Sequence, residues 1–437
     1  MNADKLTADR NAKNSMSFDL NPGESGDLNW QIRRNPAAAY WIAECKKTEW
    51  PSVNEAAPEL RIADLFSGCG GLSLGALIAC SQLGRRLRIV LAADSWSDAL
   101  GVYQTNFGFQ LETSITDDLS LMVKHPGSVF LSPWGRRLAD SVGGVEIVLA
   151  GPPCQGHSDL NNSSRRDDPR NFLYTVPVAF ALQKRSQILI IENVPTVIHA
   201  AGNVVSSAVE TLGTHGYSVV EFVADAQDFG LPQTRKRHVL IASRVHATEQ
   251  LNGLLQLISR RRQDVPLWDF VEDLELESED AHDLLTRRSK ISVENQARIN
   301  YLFDSDNFDL PNRLRPACHR DKQHSYVSMY GRLRPDLPSQ TITSGFGSMG
   351  QGRFVHPTQR RMITSHEAAR IQGFPDYFKF SSVEKVTSLR AMIGNAVAPP
   401  VAAVLLALLL SSIPAGAMAR NVGQPKGTAL AACEHRQ

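Results

Sequence analysis

Four groups of residues in this chain have the types and spacing to do chemistry. The first is Pro152-Pro153-Cys154-Gln155-Gly156-His157-Ser158, which follows the apolar run EIVLAG. Two prolines fix φ and delete two N–H donors, so a thiol beside them sits on a stiff loop. Such a loop suits a nucleophile that must meet a ring carbon at a set distance. An ordinary buried cysteine after a proline turn is the plainer reading of the same residues. The second group is Glu192-Asn193, at the end of ILIIENVP. Carboxylates seldom finish an apolar strand unless they are paired or used. The third is Gln233-Thr234-Arg235-Lys236-Arg237-His238, which offers cations for a phosphate or a polarised carbonyl oxygen, or is simply a solvated charge run. The fourth is the turn DLFSGCGGLSLG. It has Gly68 and Gly70 but carries Ser73 where the dinucleotide fingerprint needs its third glycine. A strand, a tight turn and a helix still bring a nucleoside to the sheet edge. Asp94, ending the next apolar run, can accept from ribose hydroxyls; Ser95 or Trp96 can flank an adenine, and Phe66 adds an aromatic surface.

These groups need a scaffold that delivers them to one edge. From Glu59 the chain shows the short apolar runs RIADLF, RIVLAAD, VEIVLAGPP, ILIIENVP and VLIAS, separated by helix-length segments. Runs of that kind indicate a doubly wound, mostly parallel α/β sheet with helices on both faces. The spacing predicts a nucleoside-binding catalytic domain over 59–245 and a smaller recognition region over 246–338. The chain then returns to the first domain over 339–413, including a helix in SHEAARIQGF and a buried apolar helix around Val401–Leu410. Residues 1–58 read as an arm that docks through Trp30, Tyr40, Trp41 and Trp50, and 414–437 as a loose tail. No repeat is evident.

Composition excludes several classes. Hydrophobic residues at 42% and charged residues at 21% disfavour wholesale disorder. The six cysteines form no CxxC pair, which points to reduced thiols rather than a zinc site or a disulfide scaffold, and no metal is expected. The polar N-terminus shows no export signal, and the apolar run near 401–410 is short for a bilayer. The reading is a cytoplasmic protein without membrane contact. Net charge is +1, yet the charge is segregated: 264–283 holds nine carboxylates and no Lys or Arg, whereas 313–334 holds six cations against Asp321. A positive cleft can hide inside a neutral total.

Six stretches, DLFSGCGGLSLG, GPPCQGHS, IENVP, QTRKRH, RMITSHEAARIQGFPD and IGNAVAPP, resemble in order the hallmark motifs of DNA (cytosine-5) methyltransferases. The resemblance spans roughly 60–405, apart from the variable 246–335. It implies S-adenosylmethionine, held around Asp64, Phe66, Ser67, Gly68, Gly70, Gly71, Leu72, Asp94, Ser95, Trp96, Pro152, Asn395 and Ala396. It implies Cys154 as nucleophile and Glu192 as its acid partner, with Arg237 and Arg235 near the base oxygen or against the thiol. Thiolate addition to carbon 6 of cytosine would activate carbon 5. Glu192 would protonate N3, which requires a site that raises its pKa. The ring would have to leave the duplex. DNA contacts are expected from Gln155, Ser158, Gln233, Arg313, Arg315, Arg320, Lys322, Tyr326, Tyr330 and Arg332, with His319, His324 and Arg334 beside them.

Three departures from the family pattern stand out. His157 replaces the usual Phe, Glu146 opens the third strand where Asp is commoner, and Ser114-Ile115-Thr116 lacks the acid expected near the adenine, leaving Asp117 as a substitute. The leading expectation is sequence-specific methylation of duplex DNA by a monomer, with a companion restriction endonuclease acting separately. Methylation of transfer RNA on the same fold, and a DNA-binding regulator without catalysis, are the alternatives.

Overall fold

A computed structural model describes residues 36–153, 169–200, 203–259, 264–276, 282–320 and 328–413. Among these the chain builds a seven-stranded sheet in the order β3-β2-β1-β4-β5-β8-β6. Strands β1 (Glu59–Leu65), β2 (Arg86–Asp94), β3 (Ser114–Thr116), β4 (Ile147–Ala150) and β5 (Ile188–Asn193) run parallel. β6 (Ser218–Asp225) and β8 (Lys236–Ser243) are antiparallel to each other, and β8 is antiparallel to β5. The expected mostly parallel α/β sheet is present, and VLIAS is its antiparallel member. A two-stranded ribbon of β7 (Gln233–Thr234) and β9 (Ser339–Gln340) ties the strand before β8 to the returning chain.

The apolar strands are buried on both faces, so helices must cover both. α2 (Gly71–Gln82), α3 (Ser97–Phe107), α7 (Thr248–Ser259) and α13 (Pro399–Ser411) share one core with α1 (Pro36–Cys45). α4 (Pro133–Ser141), α5 (Thr175–Lys184) and α6 (Val204–Thr214) close the other face. The intervening region carries α8 (Trp268–Val271), α9 (Val293–Asp304) and α10 (Ala317–Arg320), and the return carries α11 (Ser365–Ile371) and α12 (Val386–Asn395). α7 packs on β6 and α13, so the helix that opens the 246–338 stretch is part of the sheet layer rather than of a recognition module. His246 reinforces that seam through Ser412 Oγ at 2.9 Å.

The arm docks as its aromatics suggest for the part described. Trp41 is fully buried, Trp50 lies 4.8 Å from the Tyr377 ring, and Tyr377 donates to Glu44 at 3.1 Å. Trp30 lies outside the described residues. Val386–Ser411 is long and apolar enough to cross a membrane, but 83% of its most apolar window is buried inside the fold, where α13 packs on α2. That packing depends on Gly75, because a Cβ there would fall 2.4 Å from Pro399 O and 2.6 Å from Ala402 Cβ. Gly75→Ala should therefore push the two helices apart and destabilise the fold by about 1–3 kcal/mol in urea unfolding; unchanged stability would show that the contact yields.

Candidate active site

β1, β2, β4 and β5 are parallel, so their carboxyl ends lie on the edge of the sheet where α2 begins. Phe66 leaves β1 at φ 55°, a left-handed conformation that side chains rarely adopt, and Gly68 follows at φ 52°. The turn is fixed from β2: Asp94 accepts from Gly68 N and from Trp96 N, both at 2.8 Å. Burial pushes the Asp94 carboxyl up, and these amides pull it down. Among the described residues nothing lies within 4 Å of where a Gly68 Cβ would stand, and Ser67 Oγ is buried without a partner. An open cradle, an unpartnered hydroxyl and a carboxylate with free lone pairs fit a nucleoside cofactor.

Other expected cofactor residues have different work. Asp64 is fully buried under the turn and accepts from Ser73 Oγ at 2.6 Å, while Ser73 also meets Tyr103 Oη. It supports the turn rather than facing a ligand. Gly70, at φ 99°, leaves room for the Phe107 and Tyr103 rings, and Leu72 is core. Gly71 admits Val397 O, 2.1 Å from where its Cβ would be, so the stretch after Asn395 presses on the turn. Val397, which the motif reading passed over, also meets the Gly151 position 3.6 Å from Phe66 O. Ser95 and Asn395 are exposed, and Trp96 and Ala396 half-buried. On β3, Ser114 and Ile115 are half-buried, and Asp117 N bonds Asp94 O at 3.2 Å. Glu146 bonds the β1 backbone at Arg61 N.

Glu192 ends β5 almost fully buried, and Arg237 Nε stands 2.8 Å from its Oε1. The register places Glu192 opposite Val239, so Arg237, two residues back, reaches it diagonally on the same face. Burial raises the Glu192 pKa, and Arg237 and then Arg235 hold it down. Beside it Asn193 Nδ2 donates to Pro152 O at 3.2 Å, anchoring the chain two residues before Cys154. Cys154, Gln155, His157 and Ser158 lie outside the described residues, as do Lys322, His324 and Tyr326.

The QTRKRH stretch is not a solvated charge run. Gln233 is fully buried, donating to Gln372 Oε1 and accepting from Ile342 N, which removes it from any DNA surface. Arg235 is also buried; its Nη1 donates to Ile342 O, and its Nη2 to Gly394 O and Ala396 O. It ties the return chain to the cofactor turn instead of facing a base. Two recognition candidates move inward as well. Tyr330 is buried at φ 63° against His319, and Arg332 is sandwiched between Phe303 and Phe308 with Asp306 at 3.1 Å. Arg313 and Arg320 are exposed and Arg315 half-buried.

A family model described as C-5 cytosine-specific DNA methylase matches residues 60–410. The chain belongs to this family. The Type II methyltransferase M1.BsuMI of Bacillus subtilis (strain 168) is 44% identical over 363 residues, 82% of each chain. Mouse DNA (cytosine-5)-methyltransferase 1 is 25% identical over 80% of this chain and 28% of its own. The S. pombe Dnmt2 methyltransferase structure matches with TM-score 0.54 at 18% identity, over 81% of this chain and 98% of that one, a likeness of fold. The enzyme is therefore a DNA cytosine-5 methyltransferase, which sets aside the regulator and transfer-RNA readings.

Burial pushes the Asp64 carboxyl from 3.8 to about 7. The folded methylase thus holds this proton more tightly than the unfolded chain, and the stability contributed by Asp64 is lost as pH rises between those values. Asp64→Asn should flatten that part of the stability–pH curve; an unchanged slope between wild type and variant would show that Asp64 is ionised at no cost.

Proposed function

We propose that the methyl donor is S-adenosylmethionine, held by Phe66, Ser67, Gly68, Asp94 and the 394–397 segment, and that Cys154 and Glu192 carry the reaction. When bound, that cofactor supplies an electrophilic methyl group on a sulfonium. Cys154 adds as thiolate to carbon 6 of a cytosine turned out of the duplex, an extrusion costing roughly a few kcal/mol. Glu192 gives its proton to N3 as the bond to sulfur forms, so negative charge does not build up on the ring. After methyl transfer, loss of the carbon 5 proton to a base expels Cys154 from carbon 6 as thiolate, and N3 returns its proton to Glu192.

The observation that carries this reading is the Glu192–Arg237 pair, 2.8 Å apart, with Glu192 buried and Arg237 half-buried. Burial favours the protonated acid and the guanidinium favours the carboxylate, which suits a group that must both give and regain a proton. Asn193, next in sequence, bonds Pro152 O and so supports a place for the Cys154 loop beside that acid.

We further infer a specific duplex site as substrate, in the manner of a modification enzyme whose restriction endonuclease is a separate protein. The methylase then works as a monomer in the cytoplasm. Exposed Arg313 and Arg320 and half-buried Arg315 are described candidates for DNA contact. Expression in a methylation-free host, followed by bisulfite sequencing, should reveal 5-methylcytosine in one recurring sequence. Cys154→Ala should abolish the signal, and Glu192→Gln should lower turnover roughly 10²-fold or more. Methylation that persists in Cys154→Ala, or a normal rate in Glu192→Gln, overturns the assigned roles.

A further inference from the structure

Arg390 lies on α12, one turn before Gly394, at the contact between the return chain and the segment entering α9. Its Nη2 donates to Ser289 Oγ at 2.8 Å, and its guanidinium carbon stands 5.9 Å from the centre of the Phe346 ring. A Cβ on Gly347 would fall 2.2 Å from Nη1, so residue 347 is small where the guanidinium needs room. Gly394 on the same helix presses on Ser344 N, which holds the 343–347 loop beside the arginine. The side chain is thus seated from three directions.

Among the described residues the seat supplies no negative charge. Among the described arginines, Arg237, Arg332, Arg361 and Arg370 pair with Glu192, Asp306, Glu367 and Asp376, and buried Arg235 is met by three backbone carbonyls. Arg390 has no ion pair among the described residues, and its Nε is buried without a hydrogen-bond partner. Burial alone lowers its pKa, with no carboxylate opposing it. A half-buried, pre-oriented guanidinium without a counter-ion is unfavourable unless an anion completes it. The sequence around its one fixed partner is Thr286-Arg287-Arg288-Ser289-Lys290, so the neighbourhood is basic over several residues. An extended basic run suits a polyanion better than a single carboxylate.

We propose that Arg390 is a positioning residue for the substrate DNA, taking a backbone phosphodiester at this seam. The phosphate supplies the missing charge, and Ser289, Phe346 and Gly347 hold the guanidinium plane ready for two parallel N–H···O bonds. A contact of this type fixes the register of the duplex and carries no sequence information. It rests on the DNA reading given above.

The test is fluorescence anisotropy of a labelled duplex of arbitrary sequence over a range of salt concentrations, with wild type, Arg390→Gln and Arg390→Lys. Arg390→Gln should weaken binding at low salt and reduce the slope of log affinity against log salt by about 0.9. Arg390→Lys should keep the slope. For methylation, Arg390→Gln should raise KM for DNA and leave kcat near wild type. The affinity for S-adenosylhomocysteine, measured by calorimetry, should stay unchanged. An unaltered salt slope overturns the proposal, as does an equal loss of S-adenosylhomocysteine affinity, which would put the guanidinium on the cofactor. Should Arg390→Gln fail to fold, Gly347→Ala displaces the guanidinium but keeps its charge, and an unchanged KM for DNA then overturns it. Bisulfite signal together with an unaltered slope sinks the anchor alone; absence of any 5-methylcytosine sinks the DNA reading beneath it.

Discussion

Burying a carboxylate is costly unless a cation opposes the loss of water, and for buried Glu192 that cation is Arg237. The rest of the site is arranged around the pair. β8 must run antiparallel to β5, because only then does a residue two places before Val239 lie beside Glu192. Strand alternation then sends Arg235 to the same face, where it meets Ile342, Gly394 and Ala396. One short strand entry thus holds the acid and also gathers the distant chain that finishes the cofactor turn.

That return chain is what makes the turn a cradle. Gly71 is small because Val397 O occupies the space beside it, and Gly75 is small because α13 lies against α2. The buried cluster of Glu367, Arg361 and His356 locks the approach to α11. There Thr364 and Glu367 cap the helix reciprocally, and the arginine holds the Glu367 carboxyl down to about 2. Arg370 does the same for its neighbours, bonding Asp376 and Asp273 from a fully buried position. His356, Arg361, Glu367, Arg370 and Asp376 all belong to the return chain, and Asp273 brings the segment after α8 against it.

The strands were legible because short apolar runs ending in Gly, Asp or Pro have few other structural meanings. Glu192 was legible as an acid where an apolar strand should end. β6 was not, since it is an edge strand whose half-exposed pattern includes Glu221 and lacks a continuous apolar run. Gln233 reads as a DNA contact and Arg235 as a residue near the base because their partners, Ile342, Gln372, Gly394 and Ala396, are more than a hundred residues away in sequence. Arg332 and Tyr330 were chosen for charge and ring type, but Phe303, Phe308 and His319 enclose them. The same composition serves a DNA face or a cation–aromatic core, and only packing separates the two.

The central claim is that Glu192, balanced by Arg237, works with the Cys154 thiol on one cytosine ring. Duplex DNA carrying 5-fluorocytosine at the methylated position tests it directly, because fluorine at carbon 5 blocks the final elimination. With S-adenosylmethionine present, the wild-type enzyme should form a denaturation-resistant protein–DNA adduct; Glu192→Gln should form it far more slowly, and Cys154→Ala should form none. An adduct that forms as fast in Glu192→Gln as in wild type, or that forms in Cys154→Ala, would contradict the account.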